Sequence, residues 1–217
     1  MIILEVGTYA SYAPEKPDPG VLYLCDADGR DWYETLPTLD AEAYIVVDLA
    51  GRAIGVSTDP SALFPVGMTV LAIDDYDPVQ VQTYVADGYV YQSGAFVLTR
   101  ERLLEYAAEK RWRVETGGVE IDGIRIATDD RSKTLITGGR IKADADPEHR
   151  LRFKVGGSFV SLDAEQIIAI SDAVFAHTQA AFDAEDAVIE AIATGTITTL
   201  AEINVWPWPG AAALAIA

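Results

Sequence analysis

At Thr99 the periodicity of the chain changes, and that break constrains the fold more than any other feature. Up to Leu98, short runs rich in β-branched and aromatic residues are cut by Gly, Pro and Asp. VLYLC, DWYET, AYIVVDL, AIGVST, MTVLAID, VQVQTYV, YVYQ and AFVLT read as strands, because such side chains suit a half-buried pleated surface. Asp28-Gly29 and Asp87-Gly88 are dipeptides of the kind that turn hairpins. Residues 13–20 hold three prolines in eight positions and are expected to form an extended loop. The expectation is an all-β module over residues 1–98.

From Thr99 the spacing is helical. Thr99 is a candidate N-cap, and Leu103, Leu104, Ala107, Ala108 and Trp112 fall on one broad face. Val119-Glu120-Ile121 and Ile124-Arg125-Ile126 alternate around Asp122-Gly123, which predicts a two-residue hairpin. Asp129 or Asp130 caps a helix over 131–142 with Leu135 and Ile136 inward. LRFKVGGSFVSL predicts a second hairpin turning at Gly156-Gly157. Ser161 or Asp163 opens the longest helix, to about Ala193, with Ile167, Ile170, Val174, Ala181, Val188 and Ile192 repeating near helical spacing. Gly195 ends it, and a short helix covers 200–203. The fold class expected is α+β: an N-terminal all-β module, then an α+β module of two hairpins and a long helix over 99–217.

Charge is distributed in blocks. The chain of 217 residues carries a formal net charge of −18. Residues 1–98 hold 15 acidic and 3 basic side chains, residues 99–154 hold 11 and 13, and residues 155–217 hold 8 and none. An excess of this size repels polyanions, so neither nucleic acid nor an anionic membrane is expected as a partner. The basic middle band either packs near the acidic helix within one fold or makes a charge-complementary contact between copies or with another protein. No apolar run approaches the ~20 residues that span a bilayer. The N-terminus has no basic leader region and meets Glu5 early, against a signal peptide. Cys25 is the single cysteine, so no intrachain disulfide forms. It reads as a small core residue of a protein made in a reducing cytoplasm.

Candidate chemistry is sparse. Asp129-Asp130 with Arg131 has the residue types of a carboxylate pair beside an electrophilic arginine. Adjacent side chains at a helix start diverge, however, and helix capping accounts for them better. Asp26–Asp31, DADGRD, has the opening of a calcium loop, but the twelfth position, where a bidentate glutamate belongs, is Pro37. A hairpin turn is the preferred reading. His149 and His177 lack the spacing of a zinc site. The pairs Gly117-Gly118, Gly138-Gly139 and Gly156-Gly157 match no phosphate-binding loop. No catalytic residue, cofactor or metal ligand is therefore assigned, and no enzymatic activity is expected. Trp206 and Trp208, held between prolines, remain as candidate interaction residues. They form either an apolar peg for a partner or a cover folded back over the long helix.

Two stretches, VEIDGIRIATDDRSKTLITG and LRFKVGGSFVSLDAEQIIAISDAVFAHTQAAFDAEDAVIEAI, resemble an uncharacterised domain of bacteriophage tail-fibre and tail-associated proteins. The likeness spans about residues 99–193. It is carried by Thr128, Asp129, Arg131 and Ser132, then Ala173, Val174, Ala176, His177 and Gln179. The chain departs from that pattern at Lys133, where Gln or a similar residue is usual, and at Gly138-Gly139-Arg140, where alanines are usual. Residues 51–74 resemble β-rich leaders of other tail proteins. The resemblance implies a virion protein of a phage tail, made in the host bacterial cytoplasm. Its expected partners are other tail, baseplate or fibre proteins and further copies of itself. It equally accommodates a tail-fibre assembly chaperone absent from the finished particle. A glycan hydrolase used in host entry is a third, weaker reading.

Overall fold

The computed structural model describes residues 2–121, 123–155 and 158–210. The chain divides into two compact units, Met1–Thr99 and Arg100–Ala217. The fold is α+β: an antiparallel sheet first, then hairpins and a long helix.

In the first unit, β1 (Ile2–Tyr12), β2 (Tyr23–Cys25), β3 (Ala43–Val47), β4 (Ala53–Ser57) and β5 (Met68–Asp74) form one antiparallel sheet in the order β2-β1-β5-β3-β4. All five residues of β3 are buried, which is why AYIVV is apolar throughout and does not alternate: both faces of the sheet are covered. On one face Ile45, Val47, Leu71 and Ile73 pack with Val81 and Phe96. Val81 comes from α2 (Pro78–Asp87) and Phe96 from the hairpin of β6 (Val90–Gln92) and β7 (Ala95–Val97). On the other face Tyr9, Tyr44, Val70 and Leu24 surround Trp32 of α1 (Trp32–Thr35). The Tyr9 and Trp32 rings meet edge to face, centroids 4.9 Å apart.

Two expected strands are helices. VQVQTYV lies in α2, where Asp77 caps the Val79 amide, Pro78 occupies the first turn, and Gly88 closes the C-terminus at φ 76°. Asp87-Gly88 is thus a helix stop and not a hairpin turn. Start and stop signals outrank alternation over a short run, because a capped turn satisfies backbone groups that an unpaired strand leaves open. DWYET likewise follows a cap: the Asp31 carboxylate accepts from the Tyr33 amide, and α1 begins at Trp32. In the opposite sense, the N-terminal run considered above only as a leader is β1, the longest strand. β2 pairs with its last three residues, Ala10–Tyr12, while β5 pairs with Ile2–Tyr9 and skips Val6 as a bulge.

In the second unit, α3 (Arg100–Thr116) leads to β8 (Val119–Ile121) and β9 (Ile124–Ile126), then α4 (Asp130–Ala145), the hairpin β10 (Leu151–Val155) and β11 (Ser158–Leu162), α5 (Ala164–Ala193) and α6 (Leu200–Val205). The expected register of the first hairpin holds: Val119 faces Ile126 and Ile121 faces Ile124. Asp122, and the turn expected at Gly156-Gly157, lie outside the described residues. Asp163 opens α5 with a capping box to Gln166. The helix ends as its glycine predicts. The Thr196 amide donates to Ala191 O (2.8 Å) and the Gly195 amide to Ile192 O (3.2 Å), a Schellman motif with Gly195 at φ 73°. The core joins Val119, Ile121 and Ile126 of the first hairpin to Ile136 of α4 and to Ile167 and Val174 of α5.

Helix faces were only partly legible. Leu103 and Ala107 of α3 are buried, but Trp112 is 47 % exposed. Ile136 is buried while Leu135, expected inward beside it, is 54 % exposed. One turn of helix spreads neighbours by 100°, so two adjacent apolar residues seldom share a face.

Candidate functional site

The stretch from Thr128 to Lys133 looks most like a signature, and every polar side chain in it with a described role serves the fold. Thr128 is fully buried. Its hydroxyl donates to Glu115 O (2.6 Å) and accepts from the Gly118 amide (2.9 Å), latching the end of α3 to the start of α4. Asp129 caps α4, accepting from the Ser132 amide (3.1 Å) and hydroxyl (2.7 Å). Those bonds, side chain first, hold its carboxyl below the usual range. Asp130 sits in the first turn, as suits the positive helix end. The capping account of Asp129-Asp130 therefore fits the geometry. We expect Thr128→Val to destabilise the second unit by about 2 kcal/mol, since it orphans a buried donor and a buried acceptor at constant shape. Urea melts of parent and variant measure it.

Lys133 reaches back from α4 to a residue not singled out by sequence reading, Glu115, which is 6 % exposed. Lys133 Nζ donates to Glu115 Oε1 at 2.5 Å, and Arg111 Nη1 donates to Oε2. Arg111 Nε also donates to Glu185 Oε2 of α5 (2.9 Å), and its guanidinium lies 4.5 Å from the Phe182 ring centroid. Nearby, His177 Nε2 donates to Val114 O (3.0 Å) and the ring is buried. Burial by itself would raise the Glu115 carboxyl. The hydrogen bond and charge of Lys133, then the charge of Arg111, outweigh it and bring the group below its ordinary value. A signal for Glu115 was present: an acidic side chain in the last turn of a helix opposes the helix dipole and needs a cationic partner. Lys133 is one of the places where the chain departs from the resembled pattern, and here it supplies that partner. Gly139 is another. A Cβ there would lie 3.1 Å from Leu151 Cδ2 and 3.3 Å from Ile167 Cγ2, so the glycine lets α4 close on α5.

The outer side of α5 differs. Phe175, Phe182 and Ile189 recur at intervals of seven and are 66 %, 46 % and 37 % exposed. Asp183, Asp186 and Glu190 lie exposed among them. Trp206 and Trp208, the expected interaction residues, are both half-buried. Trp208 folds back so that its Nε1 donates to Ile203 O of α6 (2.7 Å), while the neighbouring Val205 is 83 % exposed.

In the first unit the supposed calcium loop is one of two matching turns. Asp26–Arg30 and Asp48–Arg52 both read D-x-x-G-R. In each, aspartate Oδ1 accepts from the amides two and four residues ahead, at 2.9 to 3.0 Å, and Oδ2 accepts from the arginine Nε, at 2.7 and 2.8 Å. Gly29 and Gly51 both take positive φ, 81° and 79°. Both carboxyls titrate below their ordinary value. For Asp26, burial opposes the backbone and side-chain hydrogen bonds of Arg30, while for Asp48 the Arg52 side chain leads. The oxygens that calcium would need are thus engaged by their own turns. Among the described residues, no group of three or more His, Cys, Asp or Glu is placed to hold a metal ion.

Fold and surface together define a two-unit α+β protein whose signature residues knit its second unit together and whose longest helix turns an acidic, apolar face outward. Residues 99–205 match the family model described as Domain of unknown function (DUF4376). No curated protein matches the chain. No helix among the described residues is long and apolar enough to cross a membrane.

Proposed function

We propose that this chain is a structural or adaptor protein of a tailed bacteriophage particle, at the tail tip, baseplate or fibre, acting through contacts with other proteins. The particle context rests on the resemblance of residues 99–193. The mode of action rests on one observation: the polar residues that carry the resemblance, Thr128, Asp129, Ser132 and His177, bond within the second unit, while large apolar side chains of α5 face solvent. Polar groups turned inward organise a scaffold, and apolar groups turned outward are what a partner covers. The first unit docks on one tail component and the second on another or on a further copy. Mass spectrometry of purified virions tests membership: the chain is expected at stoichiometric abundance. A particle lacking it supports the second reading, a tail-fibre assembly chaperone, which the same outward face suits. Trp206→Ala is expected to weaken incorporation into particles without unfolding the chain, whereas unchanged incorporation removes that residue from the contact.

A further inference from the structure

We propose that the outer face of α5 receives the outer face of the β10–β11 hairpin of a second copy. The inference names the contact for the protein–protein role above and rests on that reading.

Two surfaces of the second unit are complementary in charge and alike in exposing aromatic rings. α5 runs from Ala164 to Ala193 with no Lys or Arg, and carboxylates flank its exposed Phe175, Phe182 and Ile189. The hairpin from Leu151 to Leu162 holds no Asp or Glu. Leu151, Phe153 and Val160 pack on the core. The alternate residues Arg152 and Lys154 are exposed on the other side. Lys154 faces Phe159 across the ladder, and Phe159 is 65 % exposed. The Arg152 guanidinium and Lys154 ammonium lie 5.3 and 5.9 Å from its ring centroid. Arg111 lies over Phe182 and pairs with Glu185, and Arg140 pairs with Asp172, but the exposed Asp183, Asp186 and Glu190 leave the α5 patch acidic, while the hairpin sets cations around a phenylalanine. A symmetric pairing of α5 with α5 would set carboxylate against carboxylate, and hairpin with hairpin would set cation against cation. Only the unlike pairing brings opposite charges together. Repeated in one direction such a contact builds a ring or a filament, and made reciprocally it closes at two copies.

Sedimentation of the purified full chain tests this. At low salt it is expected to form species larger than one chain, growing with concentration and dispersing near 1 M salt, where the screening length falls to about 3 Å. Phe175→Ser should weaken association about tenfold, as loss of an interface aromatic does. The charge swaps are decisive. The double variant Arg152→Glu, Lys154→Glu should sediment as single chains, and so should Asp183→Lys, Asp186→Lys, because each then presents two patches of one sign. An equimolar mixture of the two should assemble again. A parent chain that stays single at low salt, a swapped variant that still assembles alone, or a mixture that stays single would each overturn the proposal. A chain that assembles as described but is missing from purified particles leaves this contact standing and removes particle membership instead.

Discussion

Glu115→Ala is expected to cost the second unit about 3 kcal/mol, because it strips the shared anion from two cations held in a poorly hydrated site. Lys133 and Arg111 have side chains only 22 % and 18 % exposed, so neither recovers full hydration when Glu115 is gone. Arg111 keeps Glu185, and Lys133 retains the looser Asp130, at 3.6 Å, and the Trp112 ring, 5.9 Å from its ammonium. Glu115→Gln keeps the acceptor oxygen and the shape, and is expected to lose less. The pH dependence follows from the direction of the shift. The folded-state carboxyl lies below its ordinary value, so Glu115 stabilises fully above the unfolded pKa of about 4.3. That contribution disappears as pH falls through the lower folded value. The gap between parent and Glu115→Ala should therefore be widest near neutral pH and close in acid. Hydrogen exchange at amides of residues 100–205, followed from neutral to acid pH, measures both. A gap that does not narrow would mean the carboxylate is not held by those cations.

Gly51→Ala should destabilise the first unit by about 2 to 4 kcal/mol, from a left-handed backbone and a lost contact together. Gly51 has φ 79°, and a Cβ added there would lie 2.5 Å from Tyr91 O. That oxygen belongs to the hairpin docked against the turn, where the Tyr91 amide donates to Gly51 O at 2.8 Å and Arg52 bridges Val90. The protein contains its own control. Gly29 occupies the same position of the twin turn at φ 81°, with nothing within 4 Å of an added Cβ. Gly29→Ala should pay only the backbone term, about 1 kcal/mol. Equal losses at the two positions, read by urea melts, would show that the hairpin contact contributes nothing.

The parts of this fold that sequence reading captured are those written in local chemistry. Asp129 before α4, Asp163 before α5, Gly195 after α5 and the Val119–Ile126 strand register each declare themselves within a few residues. The parts that escaped depend on competition or on distance. VQVQTYV has the alternation of a strand, and only the capping Asp77-Pro78 and terminal Gly88 decide for a helix. The 100° step of a helix put Leu135 outside and Ile136 inside, which apolarity alone does not separate. The Glu115 cluster joins residues 18 and 74 positions apart in sequence. Its only local trace is a misplaced acid at a helix end. The twin D-x-x-G-R turns were visible as letters, but their common purpose emerges only when both aspartates are seen gripping their own loops. At the surface, the tryptophans drew attention by their rarity. The phenylalanines of α5 passed unremarked because period-seven spacing also describes its buried side.

The length of α5 has a mechanical outcome. At 30 residues it is a rod of about 45 Å. Near its start α4 is fastened by Arg140 to Asp172 at 2.5 Å. Further along, α3 is fastened through Val114 and Arg111, and α3 in turn ties down α6 through Tyr106 and Asn204. Everything hangs from one keel. A protease that nicks a connecting loop of this unit should leave the pieces clamped together, and the unit should come apart only when the keel itself melts.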